Sequence, residues 1–260
     1  MLLSFDSGVS ALQQFQQQLN VIANNIANVN TVGFKSATVN FADTLSQTLG
    51  SNAAGSMQVG SGVTTASITN DFSQGSFVVT GAPSNMAISG NGFFVVKDTA
   101  SGASYVTKDG SFSIDTTGYF VTSNGMRLQG LAGDIQIPIT TPGVIPDFTI
   151  DVDGKISVAN GATPTVVGQV ALQNFTNPAQ LLKAGGNLYS ITAAAGAMSA
   201  PAAPRTNGLG EIASGRIEMS NVDLAAELTS LITTQRAYEA NSKVITTSDD
   251  ILQTLVNLKR

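Results

Sequence analysis

Phe5, Val9 and Leu12 are spaced four and three apart, and Leu12, Phe15, Leu19, Ile22, Ile26 and Val29 then continue at intervals of 3-4-3-4-3. The spacing predicts an amphipathic helix whose apolar seam is of the coiled-coil type, with a small phase shift near Leu12. The amides Gln13, Gln14, Gln16, Gln17, Asn24 and Asn25 flank that seam, and "NTVGFK" then supplies a stop in which Gly33 suits a left-handed position after the helix. A second helix is predicted over "SNVDLAAELTSLITTQRAYEANSKVITTSDDILQTLVNLKR". Ser220 or Asn221 are its candidate N-caps, with Asp223 and Glu227 in the first turns and Lys259 and Arg260 complementing the far end of the dipole. Leu224, Leu228, Leu231, Tyr238, Ile245, Leu252 and Leu255 fall largely on one stripe, interrupted by Gln235 and Ser242 at seam positions.

Between the helices the period changes from helical to that of short strands. "GNGFFVVKD", "ASYVTKDGSFSIDTTGYFVTSNGMRLQG", "TIDVDGKISV", "VVGQVALQNF" and "NLYSIT" alternate or run apolar for short stretches, and "KDGS", "DTTG", "SNG" and "VDGK" supply hairpin turns. Ala193 to Gly210 is expected as an exposed loop, and Gly50 to Gly62 as a flexible or conditionally ordered segment. The fold class expected is α+β, with terminal helices that pair as a coiled-coil layer and a central all-β domain of short antiparallel strands. The domain division expected is residues 1–35 with 216–260 as a discontinuous helical domain, 36–75 as an extended connecting segment, and 76–215 as the β-rich domain.

Composition sharpens this picture. The chain has 260 residues and is 42% hydrophobic, enough for a sizeable core, yet only 11% of it is charged. An ordinary soluble domain carries roughly 25% charge. So few charges repel weakly and suit a protein that packs against copies of itself. A net charge of −5 with no basic stripe argues against nucleic acid. Cys and His are both absent, which removes thiolate chemistry, the commonest metal ligand and any Ser/His/Asp triad. No apolar run is long enough for a membrane span, and the N-terminus lacks the parts of a cleaved signal peptide.

The chemical motifs that remain are weak. "DVDGK" begins like a calcium loop but lacks the later acidic ligands, so a turn between strands is the better reading. "GSG" at Gly60 and "GNG" at Gly90 lack the spacing of a dinucleotide loop. Asp249 and Asp250 are adjacent on a predicted helix and so point about 100° apart. No catalytic, cofactor or metal residues are assigned. An enzyme built on carboxylates, such as a carbohydrate-active protein, and a secreted binding module are the rival classes.

"NVIANNIANVNTVGFKS" closely resembles the signature near the N-terminus of bacterial flagellar hook and basal-body rod axial proteins. The resemblance continues through "TNDFSQGSFVVTGAPSNMAISGNGFFVV" and "YVTKDGSFSIDTTGYFVTSNGMRLQG", and ends with "SNVDLAAELTSLITTQRAYEANSKVITTSDDILQTLVNL". It implies a structural subunit without a cofactor, polymerising with itself into a hollow helical tube whose inner layer is built of the terminal helices. The implied partners are neighbouring rod, hook-cap and hook–filament junction proteins and the flagellar type III export apparatus, with no membrane insertion. The implied location is the flagellum, extracellular or periplasmic once assembled. The residues assigned to the inner layer are Leu12, Phe15, Leu19, Val21, Ile22, Asn24, Asn25, Ile26, Asn28 and Val29 on the first helix. On the second they are Leu224, Leu228, Leu231, Tyr238, Ile245, Leu252 and Leu255. Thr31, Gly33 and Phe34 form the turn after the first helix, and Phe5 and Val9 resemble a short export element. "SNVDLAAEL", "ILQTLVNL" and "DFSQGSFVVTG" favour a hook-type subunit that transmits torque; the length and "QRAYEANSK" favour the distal rod, the alternative.

Overall fold

The computed structural model describes residues 2–52, 55–139, 146–160, 163–196 and 200–258. They form two compact units, each built from pieces distant in sequence: Met1–Asn28 with Ser36–Asp71 and Val222–Arg260, and Val29–Lys35 with Phe72–Asn221. Helix at both ends and short antiparallel strands between them agree with the expected α+β class.

The first unit pairs helix α1, Leu2–Ala27, with helix α2, Leu224–Leu258. A Cβ on Gly8 of α1 would touch Ile245 of α2, while Asn25 of α1 hydrogen-bonds Glu227 of α2, so the two run antiparallel. Strands β1 (Ala37–Asp43) and β4 (Val63–Asn70) form an antiparallel ribbon. Phe15 of α1 meets Phe41 of β1 edge to face at 6.4 Å, and Gln14 and Gln17 accept from Thr65 of β4. The flanking amides of α1 are thus partly spent on this ribbon. Between β1 and β4, strands β2 (Ser46–Asn52) and β3 (Gly55–Gly60) pair as a second antiparallel ribbon. The segment expected to be flexible therefore consists largely of strand among the described residues. Antiparallel backbone pairing between β2 and β3 satisfies the N–H and C=O groups of a stretch that composition alone marks as loop.

The second unit centres on a nine-stranded antiparallel sheet. Its middle strand is Phe93–Lys97, where Phe93 and Val95 face one apolar cluster with Phe175, Leu181 and Tyr189. Phe94 and Val96 face the other, with Met86, Ile88, Phe112, Leu128 and Ile156. Opposite faces at alternate residues explain why "FFVV" is a continuous apolar run: the strand is covered on both sides. A three-stranded sheet (Phe148–Ile150, Lys155–Asn160 and Thr163–Gln169) adds Ile156 and Val158 to the second cluster. "DVDGK" is the turn between its first two strands, closed by Gly154 N–H donating to the Asp151 carbonyl at 2.8 Å. Residues 213–218 run along two more strands: Glu211–Ser214 pairs with Met86–Ser89, and Arg216–Glu218 with Phe77–Val79.

Candidate subunit interface

Within the first unit, the amide of Asn25 is the most fully committed polar group of the helix pair. It is 1% exposed. Its Nδ2 donates to the Ala37 carbonyl and to Glu227 Oε1, both at 2.9 Å, and its Oδ1 accepts from the Ala37 N–H at 3.0 Å. One side chain thereby ties α1, β1 and α2 in a single register, because a buried amide that misses its partners is costly. Asn24 and Asn28 behave differently: Asn28 Nδ2 donates to the Asn24 carbonyl and Oδ1, an exposed bond along the same helix.

The seam residues of α1 lie where the spacing puts them. Ile22 is buried, and Leu12, Phe15, Leu19, Val21 and Ile26 are half-buried. Val29 lies beyond the helix, which ends at Ala27. On α2, the side covered within the chain comprises Glu227, Leu231, Thr234, Ala237, Asn241, Ser242, Ile245 and Ser248. Leu231 and Ile245 were expected there; Thr234, Asn241 and Ser248 were not. Their polar groups bond back along the helix, Thr234 Oγ1 to the Ser230 carbonyl and Ser248 Oγ to that of Val244, both at 2.7 Å. Small, self-satisfied side chains let the two helices come close without stranding a donor.

The large apolar side chains of α2 are left outside. Leu224, Leu228, Tyr238 and Leu252 of the expected stripe are exposed, as are Ile232, Val244, Ile251 and Val256, which the stripe did not include. Leu228 is 45% and Ile232 56% exposed, far from the covering of a finished core. The side chain of Leu255 lies outside the described residues. Near the start of α1, Phe5 is exposed and Val9 half-buried. Among the described residues no helix is long and apolar enough to cross a membrane. The N-cap of α2 is neither Ser220 nor Asn221 but Asp223, whose Oδ1 accepts from the N–H groups of Ala225 and Ala226 at 2.9 and 3.3 Å. That geometry satisfies two of the orphan donors and puts a negative charge at the positive end of the dipole.

The turn residues Thr31, Gly33 and Phe34 belong to the second unit, as part of a strap over residues 29–35. Gly33 has φ +67°, but it does not cap α1, which has already ended. A Cβ there would meet the backbone of Lys108 and Asp109 at 2.6–2.8 Å, so close approach is the reason for glycine. The strap is held further by Gly33 N–H to the Glu218 carbonyl at 2.8 Å and Asn187 Nδ2 to the Val32 carbonyl at 2.8 Å. Lys183 sits over the Phe34 ring at 4.7 Å, and Phe34 N–H closes a turn on the Thr31 carbonyl.

Sequence reasoning missed the anchor of the strap. Lys35 and Glu218 are both fully buried, with Nζ 2.6 Å from Oε1. Lys35 also donates to the Ser73 carbonyl at 2.7 Å, and the same Oε1 accepts from Gly75 N–H at 2.9 Å. Glu218 Oε2 is buried and has no hydrogen-bond partner among the described residues. Lys108, 5% exposed, adds a second cation to this cluster. Burial pushes its ammonium pKa down to about 8, opposed by the Glu218 carboxylate and reinforced by Lys35. The signal available in the sequence was that Lys35 is the sole basic residue before Lys97, a lone charge in an amide-rich segment.

Three family descriptions match the chain. "Flagella basal body rod protein" covers residues 5–35, "Flagellar hook protein FlgE/F/G D1 domain" residues 87–158, and "Flagellar basal body rod FlgEFG protein C-terminal" residues 213–258. Among curated relatives, the flagellar basal-body rod protein FlgG of Bacillus subtilis is 43% identical over 270 aligned positions, covering all of both chains. FlgG of Caulobacter vibrioides is 40% identical over 257, covering 94% of this chain and 95% of the relative. The flagellar hook protein FlgE of Borreliella burgdorferi is 26% identical, and matching it takes 444 positions. The rod relatives align nearly residue for residue, whereas the hook protein needs long gaps. The comparisons therefore fit the rod alternative better than the hook-type reading.

Proposed function

The chain belongs to the flagellar hook and basal-body rod protein family, and from that premise we propose that it is the distal-rod subunit of the bacterial flagellum. It is a structural axial subunit; as rod, it is a building block of a driveshaft rather than of the flexible hook. The observation that carries the assembly reading is the apolar surface of α2 that includes Leu228, Ile232, Val244 and Val256, exposed in the single chain. Burying such a face against neighbouring copies supplies the driving force, at about 25 cal/mol per Å² of apolar area removed from water. The contact is heterologous and does not close on itself, so it grows into a helical tube. In that tube the α1–α2 pair forms the inner layer. The second unit supplies a rigid β body whose strap is pinned by Lys35 and Glu218. Neighbouring axial proteins cap the polymer at both ends. The chain reaches its place through the flagellar export apparatus, to which exposed Phe5, with Val9, is presented before α1 folds.

The test is deletion of residues 2–27 or of 224–258 in cells that depend on this chain. Rods and motility are expected to be lost in both. Cells that keep normal flagella after either deletion would sink the axial-subunit reading. Gold-labelled chain in isolated basal bodies separates the two family roles: label along the straight shaft is the rod, label on the curved segment outside it the hook.

A further inference from the structure

We propose that copies of this chain join head to tail, the last two turns of α2 of one copy seating in a groove at the opposite end of the helix pair of the next. The groove has a volume of about 250 Å³; Val21, Ile22, Ala37 and Val39 give it an apolar part, and Gln18, Thr38, Glu227 and Ser230 a polar one. It carries one carboxylate. Glu227 gives Oε1 to Asn25, so its charge is fixed in place at the groove.

The occupant follows from register and charge. Gly8 stands opposite Ile245 and Asn25 opposite Glu227, a spacing that brings Leu2 level with about Ile251. Leu252 to Leu258 therefore continues past α1, and Leu252, Val256 and Leu258 on it are exposed. Lys259 and Arg260 follow in the sequence, and no acidic residue comes after Asp250. The groove end is the reverse. Asp71, Asp223 and Glu227 lie there, and the unit has no Lys or Arg before Arg236. An apolar helix end followed in sequence by two cations thus faces, in the next copy, a groove that is apolar in part and holds an anion. The dipole of α2 accounts for cations at its own C-terminus, but not for bare Leu252, Val256 and Leu258 beside them. Stacked in this way, the helix dipoles of successive copies also run head to tail. The inference rests on the polymer reading above and adds which surfaces meet.

The chain contains no cysteine, so crosslinks are easily placed. Thr38 and Asn257 are both exposed. Within one chain they lie far apart: position 257 is some 30 residues along α2 from Glu227, or about 45 Å at 1.5 Å per residue, whereas a disulfide needs Cα atoms within about 7 Å. A bond between them must join two copies. Full-length Thr38→Cys/Asn257→Cys protein is expected to give a ladder of covalent oligomers on oxidation, and mixed single variants only a dimer. Glu227→Lys, or Lys259→Glu/Arg260→Glu, should each reduce the ladder about tenfold, and the two together restore it. Rescue by the combined reversal distinguishes a docked pair from damage to the fold. Polymers without a ladder, or a ladder indifferent to all three charge variants, would overturn the head-to-tail docking and leave the polymer standing. Neither polymer nor ladder would overturn both.

Discussion

Lys35, Lys108 and Glu218 put two cations and one anion into a nearly dry part of the β unit, and this imbalance has measurable consequences. Removing Glu218 alone, as Glu218→Leu, leaves Lys35 buried without its counter-charge and should cost about 3–5 kcal/mol of stability. Removing both partners, as Lys35→Met/Glu218→Leu, should recover most of that loss in urea denaturation; a double variant as weak as the single would show that the pair is not what holds the strap. Lys108 gives a pH dependence whose sign follows from its depressed pKa of about 8 against the ordinary 10.5. Between those values the unfolded chain still binds the proton that the folded chain has released. Stability from this group therefore rises with pH from about 8 to 10.5 by up to about 1.4 kcal/mol per pH unit, and the charge is a standing cost below pH 8. Lys108→Met should raise the melting temperature at pH 7 and flatten that rise relative to the parent. At Gly33, alanine adds a methyl at positive φ into the Lys108–Asp109 backbone, and a loss of about 2 kcal/mol or more is expected by the same denaturation measurement. None of these three roles was visible in periodicity: Lys35 and Glu218 are 183 residues apart, and only the fold brings them together.

At the scale of the element, spacing predicted both helices and most of the central strands, because each satisfies a period that burial enforces. It did not predict which face of α2 meets α1. Hydrophobic periodicity finds the large apolar side chains, and in most domains those face inward. Here Thr234, Asn241 and Ser248 line the intrachain contact, while Leu228 and Ile232 lie outside it. The apolar stripe and the intrachain seam overlap only in part, at Leu231 and Ile245, a division expected of a subunit that keeps much of its packing surface for neighbours. Ile232→Lys tests that division. A lone charge on an exposed helix face should change monomer stability by no more than about 0.5 kcal/mol, yet suppress polymerisation in a sedimentation assay. A large stability loss would instead place Ile232 in the chain's own core. Asp223→Ala, by contrast, should cost about 1 kcal/mol through the lost cap, seen as earlier thermal loss of the helical circular-dichroism signal. Ser220 and Asn221 have cap chemistry as well, but the helix begins only at Leu224, where Asp223 is the side chain that reaches the first free N–H groups.

For the whole molecule, the low charge, the missing Cys and His and the helix–strand–helix order pointed to a structural self-associating protein before any fold was known. The choice between hook and rod was harder, since the two share their terminal motifs and differ mainly in what is inserted between them. Rod relatives align over their full length with few gaps, and that favours the rod where the motifs do not choose. The central claim is that this chain builds a straight, hollow shaft through the exposed face of its helix pair. Electron cryo-microscopy of polymers grown from the purified full-length protein tests it most directly. A straight tube, with α1 and α2 lining its channel and Leu228 and Ile232 buried between copies, is the expected result. A curved, supercoiling tube, helices on the outer wall, or a chain that stays monomeric at every concentration would contradict it.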